Sequence, residues 1–236
     1  MKYPSLIAFD LDGTLVDTEA LTLPDLIACL NQEFGVPMTE ERWLEDYHGM
    51  SGQPMLDKIN AAYGTNLLWK DFFPVRSARL PRVLAGGVAP APGMLQALRH
   101  LAAQGHQLCV CSNSDPERIA LTLKHITGQH SAGIFLDKLF DGHLFSATDS
   151  RKTPQPKPSP FVYLEASQYY GSAPGTCLAV EDSATGVQAA VSAGFRCIGY
   201  TGLSRYPEAE AEKLKGLGAH AIMRHWDDFI PLLETL

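Results

Sequence analysis

No stretch of this 236-residue chain is long and apolar enough to read as a membrane span. Its first hydrophobic run, Leu6–Phe9, is closed at once by Asp10, whereas a bilayer crossing needs about 20 apolar residues. The same short run does not make a secretory leader. Basic residues are few: 19 Lys and Arg stand against 26 Asp and Glu, for a net charge of −7. Nucleic-acid backbones are bound by clustered cations, and the nearest thing to a cluster, Arg76, Arg79 and Arg82, reads as one solvated helix face. Cysteine is also sparse. Cys29, Cys109, Cys111, Cys177 and Cys197 are odd in number and lack zinc-type spacing. Cys109 and Cys111 alternate on one face of a predicted strand, which assigns them to core packing. Free thiols without an export signal point to the cytoplasm. Repeats and low-complexity tracts are absent as well.

What the chain does contain is short apolar runs alternating with helical patterns, the signature of an α/β fold with a parallel sheet. Expected strands are Leu6–Phe9, Gln107–Cys111, Leu144–Ser146, Cys177–Val180, Arg196–Gly199 and a short one near Ala221–Met223. Asp115-Pro116 opens a helix, with Asp as N-cap and Pro at the first helical position, and Ser159-Pro160 repeats the device ahead of Phe161–Tyr169. One region breaks the alternation. Between about Thr18 and Leu84, Leu26, Ile27, Leu30 and Phe34 recur at helical spacing, as do Met55, Ile59 and Tyr63. Pro74 and Pro81 interrupt the last helix of this region. The Gly/Pro-rich stretch Ala85–Gly93 reads as a linker and Gly13–Asp17 as a turn. The expected organisation is an α/β core, residues 1–16 and 89–236, with a helical domain, 17–88, inserted after the first strand.

In an open parallel sheet, ligands bind beyond the carboxyl ends of the strands. The first strand delivers Asp10 and Asp12, the second Ser112, Asn113, Ser114 and Asp115, and the fourth Glu181, Asp182 and Ser183. After the third come Lys157, Pro158, Ser159 and Pro160. Carboxylates without nearby histidines or thiols favour a hard cation, Mg²⁺ above all, which Asp10 and Asp182 can hold. Four acids gathered without a cation repel one another. A hydroxyl, an amide and an ammonium suit phosphoryl oxygens. One carboxylate can attack phosphorus, and a second can protonate the leaving oxygen and then activate water. Each signal also has a plainer reading. Asp-x-Asp occurs in solvated turns, Ser112 caps a strand end, Glu181-Asp182-Ser183 fits a helix N-terminus, and Lys152 competes with Lys157. The ordered set at successive strand ends favours one shared site.

These residues resemble the haloacid dehalogenase-like hydrolases, in particular the β-phosphoglucomutase and phosphatase branch with an inserted helical cap. "FDLDGTLVDTE" at Phe9–Glu19 is similar to that family's first motif, "CSNSD" at Cys111–Asp115 to the second, "KPSP" at Lys157–Pro160 to the third, and "VEDSATGVQAAVSAG" at Val180–Gly194 to the fourth. The resemblance implies a Rossmann-like parallel-sheet core with a cap over the site. It implies Asp10 as nucleophile, Asp12 as general acid/base, and Ser112, Asn113 and Lys157 as phosphate-binding groups. Mg²⁺ would be held by Asp10, Asp182 and the Asp12 main-chain carbonyl, with Glu181 beside it. Asp12 itself points to phosphoryl chemistry, since the dehalogenating relatives lack that second acid. Thr22 stands where the phosphomutases carry a histidine, and "HGMSGQP" at His48–Pro54 puts Gly52 and Gln53 in place of their cap arginine stretch. Lys58 and Lys70 give no match to the cap lysine of phosphonate-cleaving relatives.

The reading that follows is a monomeric, Mg²⁺-dependent phosphatase acting on a small phosphorylated metabolite, a sugar phosphate above others, with no nucleic-acid or membrane partner. His48, Ser51 and Gln53 are loop positions that can face substrate or serve structure. A phosphomutase using Arg76 or Arg79 for a second phosphate, and a non-catalytic phosphometabolite-binding protein, are the alternatives.

Overall fold

In chain order the strands are β1 (Leu6–Phe9), β2 (Val16–Asp17), β3 (Ala89–Pro90), β4 (Leu108–Ser112), β5 (Leu144–Ser146), β6 (Cys177–Glu181), β7 (Arg196–Tyr200) and β8 (Ala221–Met223). The computed structural model describes residues 3–47, 50, 52–149 and 151–235. It divides into two compact units, Met1–Asp17 with Val88–Leu236, and Thr18–Gly87. The first unit is built on a six-stranded sheet of order β5-β4-β1-β6-β7-β8, parallel throughout. The six expected sheet strands are present, three with the expected bounds and three ending one residue later. The three central strands, β4, β1 and β6, are buried along their whole length, as a parallel sheet covered on both faces requires.

The second unit holds α1 (Glu19–Phe34), α2 (Glu40–Asp46), α3 (Gly52–Tyr63) and α4 (Trp69–Ala85). The first adds α5 (Met94–Ala103), α6 (Pro116–Lys124), α7 (Gln129–Ala132), α8 (Leu136–Leu139), α9 (Phe161–Tyr169), α10 (Ala184–Ser192), α11 (Pro207–Gly216) and α12 (Phe229–Thr235). Alternation along the strands fills a core on each face. Leu6, Ala8, Cys109, Cys111, Cys177, Ala179 and Cys197 pack with Val162, Tyr163 and Ala166 of α9 and Val187 and Ala190 of α10. Phe9, on the other face of β1, meets the rings of Phe140, Trp226 and Phe229. All five cysteines are free and buried. Burial pushes the Cys109 and Cys197 thiols up, as expected of packing residues rather than nucleophiles.

The structure corrects four readings of the sequence. The Gly/Pro-rich stretch is not only a linker, because Ala89 and Pro90 pair antiparallel with Asp17 and Val16 in a two-residue ribbon. Pro74 and Pro81 lie inside one continuous helix, α4. That helix packs on α1, and two of its arginines grip an α1 carboxylate: Arg76 and Arg79 reach Asp25 at 2.6 and 2.9 Å. Those two residues are therefore an ion-pair clamp between helices, not a solvated face. Lastly, α9 begins at Phe161 with Pro160 as N-cap and no side-chain cap bond. Asp115 does cap α6, accepting from Arg118 N at 2.9 Å. Among the described residues, no helix is long and apolar enough to cross a membrane.

Candidate active site

Strand order decides where a site can form. The two sequence-distant strands β4 and β6 flank β1, with Phe9 level with Val110 on one side and Val180 on the other. The chain runs from β1 to β4 and β5 on one side and then crosses to β6, β7 and β8 on the other, so the crevice beyond the carboxyl end of β1 is the sheet's switch point. The next residue of each strand falls there. Asp10 follows Phe9, its N–H donating to Val180 O at 2.9 Å, and Glu181 follows Val180 as the last residue of β6.

Lys157 sits between them. Its buried ammonium donates to Asp10 Oδ1 at 2.7 Å, Glu181 Oε1 at 2.6 Å and Cys111 O at 2.7 Å, using all three donors. Burial works against its charge, but Asp10 and Glu181 outweigh that and hold the ammonium above its ordinary range. The rival Lys152 is instead at the surface, paired with Glu165. Lys157 is held in turn by its own N–H, which donates to Asn113 Oδ1 at 2.8 Å. Glu181 is fully buried and also accepts from Tyr163 Oη of α9 at 2.5 Å.

Asp182 completes the cluster, its Oδ1 accepting from Thr14 Oγ1 at 3.2 Å. Carboxylate oxygens of Asp10, Glu181 and Asp182 all lie within 4.8 Å of one another. Burial pushes the Asp10 carboxyl well up, with Glu181 and Asp182 adding to it against the pull of Lys157. Asp182 is raised to about 7, by burial first and then by Glu181. Burial and mutual repulsion disfavour joint ionisation of these acids, and a hard divalent cation suits the all-oxygen donor set and would relieve that repulsion.

Asp12 points elsewhere. Its Oδ2 accepts from Ser114 Oγ at 2.7 Å and its Oδ1 from Arg118 at 3.1 Å. Ser112 is buried, and its Oγ accepts from Ser114 N at 3.0 Å, as a strand-end cap does. Asn113 is exposed, with its amide oxygen committed to Lys157 N. The structure therefore gathers Asp10, Lys157, Glu181 and Asp182, and joins Asp12, Ser112 and Asn113 to the same strand ends through hydrogen bonds. The sequence reading placed Ser114 at the end of the second expected strand without giving it a role, and did not single out Thr14, Arg118 or Tyr163. Thr14 and Ser114 lie within quoted motifs and were within reach; Arg118 and Tyr163 are found only by contact. In the helical unit, Gln53 bonds to Asp57 at 2.8 Å and to Trp69 N at 2.7 Å, which is a structural role. His48 and Ser51 lie outside the described residues.

Two glycines make room for this arrangement. Gly13 has φ +89°, and a Cβ there would run into the Asp182 carboxylate. A Cβ on Gly186, in the first turn of α10, would occupy the place of the Glu181 carboxylate. Glu181 cannot step aside, being bonded to Lys157 and Tyr163. Gly186→Ala is expected to cost about 1–3 kcal/mol, the range for overpacking a filled core. In thermal melts it should lower Tm by several degrees, while Gly216→Ala, at the end of α11 where nothing stands within 4 Å, should hold Tm or raise it slightly.

Carboxylates and an ammonium at the switch point of a parallel sheet define an α/β enzyme whose acid cluster can hold a divalent cation. The chain belongs to the haloacid dehalogenase-like hydrolases, whose family model matches residues 4–194. It is 32% identical over 146 residues to a haloacid dehalogenase-like hydrolase domain-containing protein of Arabidopsis thaliana, a match covering 57% of this chain and 43% of that protein. It is 26% identical over 189 residues to the 6-phosphogluconate phosphatase of Escherichia coli, covering 80% of this chain and 79% of the relative. Among solved structures, a family hydrolase from Deinococcus radiodurans with bound phosphate and sodium superposes with a TM-score of 0.75 at 26% identity. That match covers 100% of this chain and 97% of the other.

Proposed function

We propose that the protein is a Mg²⁺-dependent phosphatase that releases inorganic phosphate from a small phosphorylated metabolite, a sugar phosphate, through an aspartyl-phosphate on Asp10. The observation that carries this reading is Lys157 bridging Asp10 and Glu181 beside Asp182. One carboxylate is thereby fixed in place at a strand end, with cationic charge against it and further acids to hold a metal. The relative named for 6-phosphogluconate and the neighbour with bound phosphate support the substrate class.

In the first step an Asp10 carboxylate oxygen attacks phosphorus, the P–O bond to the sugar breaks, and Asp12 gives its proton to the departing oxygen. Water then attacks the aspartyl-phosphate and loses its proton to Asp12; the P–O bond to Asp10 breaks, which restores both carboxyl groups and frees phosphate. Asp10 and Asp182 side chains and the Asp12 carbonyl would hold the metal, with Glu181 beside them. When bound, Mg²⁺ would neutralise phosphoryl charge and the repulsion between the acids. Lys157 supplies fixed positive charge, and Ser112 and Asn113 are placed at the strand end that receives the phosphoryl group. The helical unit, inserted between β2 and β3, is proposed as the part that selects the substrate.

The mutase alternative asks Arg76 or Arg79 to take a second phosphate, and both are bound to Asp25. Phosphate release from a panel of phosphorylated sugars and related metabolites, with and without Mg²⁺, tests the proposal. Release is expected only with the metal, and EDTA should abolish it. Isomerised sugar phosphate without release would move the assignment to the mutase. Silence from a folded, Mg²⁺-binding protein would favour the binding protein.

A further inference from the structure

Asp12 is the group assigned to proton transfer, yet its carboxylate does not join the Asp10–Glu181–Asp182 group. It is held instead by two residues on the far side of the β4 loop. Ser114 Oγ donates to one oxygen and the Arg118 guanidinium to the other. Arg118 is well placed to do this. Its N–H is fixed on the Asp115 cap in the first turn of α6, and its side chain is mostly buried. Its Nε is buried with no hydrogen-bond partner among the described residues. The guanidinium meets Asp12 Oδ1 through its Nη2 at 3.1 Å.

We infer that Arg118 is a positioning residue for proton transfer, acting through Asp12. With Ser114 it holds the Asp12 carboxyl at the β4 side of the site, apart from the acids that surround Lys157. This keeps the proton-transfer group and the nucleophile in separate places, each with its own cation. The inference rests on the roles proposed above for Asp10 and Asp12. A carboxyl freed from such a clamp still exists but is misplaced, and misplacement of a reacting group by about 1 Å can cost about 10²-fold in rate.

The leaving group separates this role from others. A sugar alkoxide must be protonated as it departs, whereas p-nitrophenolate leaves without a proton. kcat/KM reports the steps up to release of the first product, so it isolates the half-reaction in which Asp12 acts as acid. Arg118→Ala is expected to lower kcat/KM about 10²-fold for the fastest sugar phosphate of the panel. For p-nitrophenyl phosphate the loss should stay under about threefold. Arg118→Lys, which keeps a cation in reach, should recover part of the sugar phosphate rate, and both variants should melt near the wild type.

Equal losses on the two substrates would overturn the inference, since they would mean that Arg118 touches the phosphate or only supports the fold. No loss on either would reduce the pair to a surface ion bridge. If the wild type hydrolyses neither substrate, or Asp10→Asn hydrolyses both as well as wild type does, the proposed function falls and the role of Arg118 with it. Asp10-dependent release with equal losses in Arg118→Ala removes the Arg118 role alone.

Discussion

Asp10→Asn is expected to fold and to release essentially no phosphate. Removing an attacking group costs at least about 10⁴-fold in kcat, a barrier change of about 5.5 kcal/mol. Loss of activity through misfolding is not expected. Asp10 is a buried carboxyl whose charge is disfavoured by burial and by Glu181 and Asp182. An amide removes that repulsion and still offers an oxygen to Lys157, so Tm should hold or rise. The melt and the phosphate assay, run on the same sample, check both halves.

Lys157→Met should do the opposite to stability. The lysine donates to Asp10, Glu181 and the Cys111 carbonyl from a position that is 6% exposed. Without it, two buried acids lose the cation they share, and removing one partner of a buried ion pair costs about 3–5 kcal/mol. At roughly 2–4 °C per kcal/mol for a chain of this size, Tm should fall by about 10 °C. Activity should vanish as well, because Asp10 loses the contact that fixes it. Adding Glu181→Gln should restore part of the lost stability, since the second change removes one of the stranded charges. A double change that is simply additive would mean that Lys157 and Glu181 are not coupled.

Much of the fold could be read from the chain because parallel strands buried on both faces appear as short apolar runs ended by polar residues. Leu6–Phe9 closed by Asp10 and Cys177–Val180 closed by Glu181 are of this kind. The readings that failed were set by contacts rather than by local pattern. The β2–β3 ribbon has two residues on each side, one of them Pro90, too few to show an alternation. Pro74 and Pro81 each remove a helix donor, yet α4 persists because Phe72 and Leu84 are buried and Arg76 and Arg79 hold Asp25.

The site shows the same division. Its acids lie at strand ends, so order along the chain announces them. Which oxygen faces which cation is not a local property. Lys152 and Lys157 lie five residues apart in one loop and differ only in where the loop carries them, one to Glu165 and the other between Asp10 and Glu181. Arg118 is a helix residue of ordinary appearance until α6 is placed against the end of β1. Tyr163 looks like core, and it is core, with only its hydroxyl reaching the cluster.

The most direct measurement is an acid quench of the wild type during turnover of its best sugar phosphate with Mg²⁺, followed by mass spectrometry of the peptide that contains Asp10. A phosphoryl group on Asp10, absent from Asp10→Asn, is the predicted result. Phosphate release that continues at the wild-type rate in Asp10→Asn, with no phosphoryl group on that peptide in either protein, would contradict the account.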